Sequence, residues 1–70
     1  MMNETPKPQA VARLRAWQKR NGLTLRELAA AIDLHQTTLS EILAGRALPG
    51  LRVAFRIEER TGVRVRLWVK

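Results

Sequence analysis

The chain has 70 residues, enough for one domain around a small core and near the size at which folded chains draw on a disulfide, a metal or a second subunit. It contains no Cys and a single His, which excludes disulfides and thiolate metal sites and leaves little for a zinc site, so association with another copy is the remaining aid. Thirteen Lys and Arg oppose six Asp and Glu for a formal net charge of +7, and ten of the thirteen cations are Arg, whose planar fork suits phosphates and guanine edges; the balance implies a polyanionic partner.

Six scattered carboxylates and one His give no acid, base or nucleophile set of recognisable spacing, so neither catalysis nor a cofactor is expected. The longest uncharged run, Leu34 to Ser40, is short and polar, and the first residues lack a basic stretch followed by an apolar one. The expectation is a soluble cytoplasmic protein, associated with the nucleoid and not with a membrane.

In chain order, residues 1–8 hold two Pro, mixed charge and no apolar period, which predicts a flexible tail whose Lys7 reaches toward a groove or phosphate. A first helix is predicted from Gln9 to Arg20, with Ala10, Val11, Leu14 and Trp17 inward and Gly22 as its stop; on this spacing Trp17 is core and not a base-stacking platform. Thr24 and Glu27 form the T-x-x-E pattern of a capping box, so a second helix begins near Leu25. Leu25, Leu28, Ala29 and Ile32 face its core, while Arg26, Glu27 and Ala30 face out.

Asp33 interrupts that periodicity and is one of the few residues besides Gly that tolerates a left-handed turn. From Gln36 the period resumes with Leu39, Ile42 and Leu43 inward and Gln36, Thr37, Ser40 and Glu41 on the polar face, ending at Gly45. Residues 46–50 read as a loop, and a fourth helix is predicted from Leu51 to Thr61 with Ala54, Ile57 and either Phe55 or Val53 inward. Its Arg52, Arg56 and Arg60 stripe reads as a solvated face.

The last segment changes period. Val63, Val65, Leu67 and Val69 alternate with Arg64, Arg66, Trp68 and Lys70, which predicts a β-strand. With no second strand-like segment to pair with, its economical partner is the same strand of another copy, which makes Val63, Val65, Leu67, Trp68 and Val69 the expected dimer interface. A short helix laid on the core is the alternative. The expected layout is thus a tail over 1–8, a helical domain over 9–62 and a dimerisation strand over 63–70.

Gly22-Leu23-Thr24, Glu27-Leu28-Ala29, Thr38-Leu39-Ser40 and Gly45-Arg46 followed by Pro49 together resemble the Cro/repressor helix-turn-helix family, over about Val11 to Val63. The resemblance implies a mostly α, four-helix Cro/C1-type fold, here with the C-terminal strand added. Its implied function is a homodimeric transcriptional regulator, a repressor occupying an inverted-repeat operator in double-stranded DNA. The chain departs from the family where Asp33 stands at a turn position usually held by Gly and His35 at one usually capped by Ser or Thr. Gln18 and Leu43 replace an Arg–Glu pair found in many members.

The family pattern places Gln36 against adenine, whose N6 and N7 a Gln amide pairs; on the same polar face Thr37 and Ser40 offer hydroxyls to a base or a phosphate, Glu41 could accept from cytosine N4, and His35 is either a donor to base or phosphate or a turn residue without function. Asp33 and Gln36 also have capping-box spacing, which would instead fold Gln36 back onto the helix start. Glu41, repelled by phosphates, is expected to pair with an Arg such as Arg46. The amides of Thr24 and Leu25 with Arg26, Arg46 and Arg52 make the expected phosphate contacts. The alternative function is an antitoxin or other partner-binding module with autoregulatory DNA binding, and a basic membrane-surface peptide is disfavoured by the capped helices.

Overall fold

The computed structural model describes residues 8–68. In order they form α1 (Gln9–Arg20), α2 (Leu25–Ala31), α3 (Gln36–Leu43), α4 (Leu51–Thr61) and a 3-10 turn (Val65–Trp68), with no strand among them. The predicted tail through Lys7, and Val69 and Lys70, lie outside the described residues. Pro8 belongs to the fold and not to the tail: it is buried, N-caps α1, and its carbonyl accepts from the Val11 N–H at 3.0 Å.

Each helix buries one stripe and the stripes meet in a single core. Ala10, Val11 and Leu14 come from α1, Leu28, Ala29 and Ile32 from α2 and its C-cap, Leu39, Ile42 and Leu43 from α3, and Ala54 and Ile57 from α4. Trp17 and Leu25 are half-buried at its margin. Of the two residues offered for the inner face of α4, Val53 is the one that packs inward, whereas Phe55 is exposed.

Three of the four helices, α1 to α3, end on one device. At the end of α2 the Leu34 N–H reaches the Ala29 carbonyl (2.9 Å) and the Asp33 N–H the Ala30 carbonyl (3.2 Å), the paired bonds of a Schellman motif, with Asp33 at φ 57°. The same pair of bonds closes α1 around Gly22 and α3 around Gly45. At its start α2 carries the full capping box: Thr24 Oγ1 accepts from the Glu27 N–H (3.1 Å), and the Thr24 N–H donates to Glu27 Oε1 (2.9 Å). Ile32 to His35 therefore form a turn that is hydrogen-bonded on entering and leaves His35 as the extended N-cap of α3.

The expected C-terminal strand is not formed. Gly62, at φ 80°, turns the chain back, and the 3-10 turn lies across α1 and α4 with Val63 and Trp68 buried at 5% and 4% exposure. Two facts decide this against a strand. The largest side chain of the segment, Trp68, was assigned to the outer face by the alternation, but three residues per turn bring it onto the same side as Val65 and into the core. The backbone donors also find partners inside the protomer. Val63 N–H reaches Thr61 Oγ1 (3.2 Å), Val65 N–H reaches Glu58 Oε1 (3.3 Å), and Leu67 N–H closes onto the Arg64 carbonyl (3.0 Å). Val63 and Trp68 are thereby spent on the protomer's own core, and Val65 and Leu67 pack against it.

Candidate nucleic-acid interface

The capping box fixes the direction of α2, and the Asp33 turn sets α3 across it, so the first turn of α2 and the polar face of α3 share one surface. A shallow groove there is lined by Thr24, Leu25, Arg26, Glu27 and Gln36. A second, adjoining it, is lined by Leu25, Gln36, Thr37, Ser40 and Glu41. A third, lined by Arg15, Gln18, Leu25, Ser40, Leu43 and Ala44, continues toward α1. Leu25 is common to all three and Gln36 to the first two, so the candidate base-reading and backbone-contacting residues sit side by side.

Gln36 and Thr37 are exposed on the first turn of α3, and Ser40 and Glu41 are half-exposed one turn later. No hydrogen bond joins Asp33 to Gln36 among the described residues, and the N-cap of α3 is His35 without a side-chain cap bond. The fold-back alternative for Gln36 is therefore not adopted, and its amide is presented outward. His35 and Arg52 line none of these three grooves: His35 supplies backbone to the start of α3, and Arg52 stands on the first turn of α4.

Glu41 is paired as expected. Arg46 Nε and Nη2 donate to its two carboxylate oxygens at 3.0 and 3.1 Å, a bidentate fork across the end of α3. The hydrogen bond from Arg46, reinforced by its charge, holds the Glu41 carboxyl below the ordinary glutamate range and raises Arg46 in turn. The pair removes a repulsive carboxylate from the reading face, but it also occupies the fork that Arg46 would offer a phosphate.

The backbone-contacting set is altered in a second way. The Thr24 amide is already engaged by the Glu27 carboxylate, and α2 has seven residues, so the end of this helix offers an anion less than the family pattern implies. Arg26, in the same groove as Gln36, is the cation best placed to compensate.

Several roles were not read from the pattern. Arg15 Nη2 donates to the Leu43 carbonyl (3.3 Å) and Gln18 Nε2 to the Leu23 carbonyl (3.1 Å), so α1 is tied to both flanks of the candidate surface where the family's Arg–Glu pair is missing. Both also line its third groove. The Arg stripe of α4 is not simply solvated: Arg56 Nη1 donates to the Asp33 carbonyl (3.0 Å) and Arg60 Nη1 to the Ala31 carbonyl (2.8 Å), placing cations at the negative end of α2. The available signal was the placement of cations opposite helix C-termini, which needs the tertiary fold to be seen.

No helix among the described residues is long and apolar enough to cross a membrane, and no group of three or more His, Cys, Asp or Glu among them could hold a metal. No curated protein sequence matches the chain. The family model described as Helix-turn-helix matches residues 12–68, from the second turn of α1 to the end of the 3-10 turn. With more than half its length matched, this chain belongs to the helix-turn-helix family of Cro/C1 type, a family of DNA-binding transcription regulators and not of enzymes.

Proposed function

We propose that the protein is a sequence-specific regulator, acting as a homodimeric repressor in the cytoplasm by occupying an inverted-repeat operator. The observation that carries this reading is the exposed amide of Gln36, unbonded among the described residues, within a surface shared by Thr37, Ser40, Arg26 and the first turn of α2. In this reading α3 lies in the major groove. Gln36 pairs with an adenine edge, Thr37 and Ser40 offer hydroxyls to neighbouring bases or phosphates, and Arg26 flanks them on the backbone. The Glu41–Arg46 pair lies beside them in this reading, its fork held away from phosphates and its carboxylate lowering affinity for all sequences alike.

The test is selection from random duplex DNA with the full chain, repeated at two salt concentrations. An enriched inverted repeat with half-sites about one helical turn, roughly 34 Å, apart is the expected outcome. Binding that falls steeply with salt and enriches no motif would defeat the reading and leave charge alone as the source of affinity.

A further inference from the structure

We propose that the Leu25 side chain is a base-reading group, which packs on the C5-methyl of a thymine close to the adenine that Gln36 pairs. The proposal deepens the regulator reading and rests on it for the seat of α3 in the major groove. The sequence pattern assigns the Leu25 amide to a phosphate, whereas its side chain is placed for a different contact. Leu25 is the first residue of α2, packed against the core on one side and only half-buried. It lines all three grooves of the candidate surface. In the two that Gln36 shares, it is the one apolar side chain among the described residues that line them.

The surroundings make this leucine an apolar island. Thr24 and Glu27 are closed on each other by the capping box, and the Glu41 carboxylate is held by Arg46, so these polar neighbours have partners inside the chain. Gln36 is the neighbour whose amide is exposed and unbonded among the described residues, and it stands on the same two grooves. A half-exposed leucine gains free energy from a partner only where that partner offers apolar surface to cover it. A phosphate offers none, and on the base edges of the major groove the thymine methyl is the apolar projection. Gln36 on adenine N6 and N7 and Leu25 on a thymine methyl then select an A·T-containing step through one hydrogen-bonding and one apolar contact, which neither residue defines alone. Thr37 also carries a methyl group, but it lines one groove where Leu25 lines three.

The test uses the full chain and the duplex enriched by selection, with each thymine of one half-site replaced in turn by uracil, which lacks only the methyl. One such replacement should lower affinity by about fourfold, the contribution of a single buried apolar carbon. Leu25→Ala should weaken binding to the thymine duplex until it equals binding to the uracil duplex, with the salt dependence unchanged because no phosphate contact is lost. Leu25→Met, of similar volume, should restore the preference for thymine. The readout is a ratio between two duplexes on one protein, so a loss of stability alone would leave it in place. A wild type indifferent to every replacement, a Leu25→Ala variant that keeps the preference, or a preference abolished by Thr37→Ser and not by Leu25→Ala would overturn the proposal. An enriched motif without the thymine preference sinks the Leu25 contact and spares the regulator reading, whereas a selection that enriches no motif defeats both.

Discussion

In the proposed reading Gln36 carries specificity, since its amide is exposed, hydrogen-bonded to nothing described, and part of the lining of two of the three grooves. Gln36→Ala should cost about 1–3 kcal/mol on the preferred duplex and leave non-specific binding intact. Titration of the variant against a selected and a scrambled duplex checks this, and equal losses on both would assign Gln36 to structure. Glu41 acts in the opposite sense. Glu41→Gln breaks the fork, frees Arg46 for a phosphate and removes a negative charge, so it should raise affinity for all sequences and steepen the salt dependence by about one unit of slope. The sign with pH follows from the depressed carboxyl. The pair is intact above the usual glutamate range and is lost only as pH falls through the lowered value, so between about pH 5 and 8 affinity should not change through Glu41. Asp33 is the one non-glycine at positive φ among the described residues. Asp33→Gly should be neutral or stabilising by up to about 1 kcal/mol in chemical denaturation, and Asp33→Val destabilising by about 1–2 kcal/mol.

At the scale of elements, the C-terminal 3-10 turn is where stability is most exposed to test. Trp68→Ala should cost about 3–5 kcal/mol, and truncation after Gly62 should largely unfold the protein, because Val63 and Trp68 complete the core between α1 and α4. Denaturant unfolding followed by circular dichroism would show it; a truncated chain as stable as the full one would mean the segment is an ornament. The four helices were legible in the sequence to within a residue because each carries local chemistry that does not depend on distant partners. Thr24 and Glu27 start α2, Gly22 and Gly45 close α1 and α3, and Asp33 takes the left-handed position by the tolerance of its short polar side chain. The C-terminal segment was misread for the converse reason. Its alternation is real, but which face is buried depends on Trp68 meeting α1 and on Glu58 and Thr61 supplying bonds from α4, none of which is local. In the candidate site, the grouping of Gln36, Thr37, Ser40 and Glu41 followed from helical spacing, and the Glu41–Arg46 pair from the need of a carboxylate near phosphates for a cation. The Arg15 and Gln18 contacts and the occupied Thr24 amide required the helices to be brought together.

For the molecule as a whole, the distribution of arginines matters more than their number. Arg15, Arg56 and Arg60 each close a carbonyl near the end of a neighbouring helix, and Arg46 is held by Glu41. The first three remain charged, because a carbonyl neutralises nothing, yet their forks are taken. Encounter and grip are thereby separated. All of the formal +7 contributes to the long-range attraction that speeds a first collision with DNA, whereas only the uncommitted cations displace counterions once contact is made. In the proposed reading a chain built in this way should find nucleic acid quickly and release the wrong stretch easily, which for a regulator searching a genome would be a kinetic asset that the residue count alone hides.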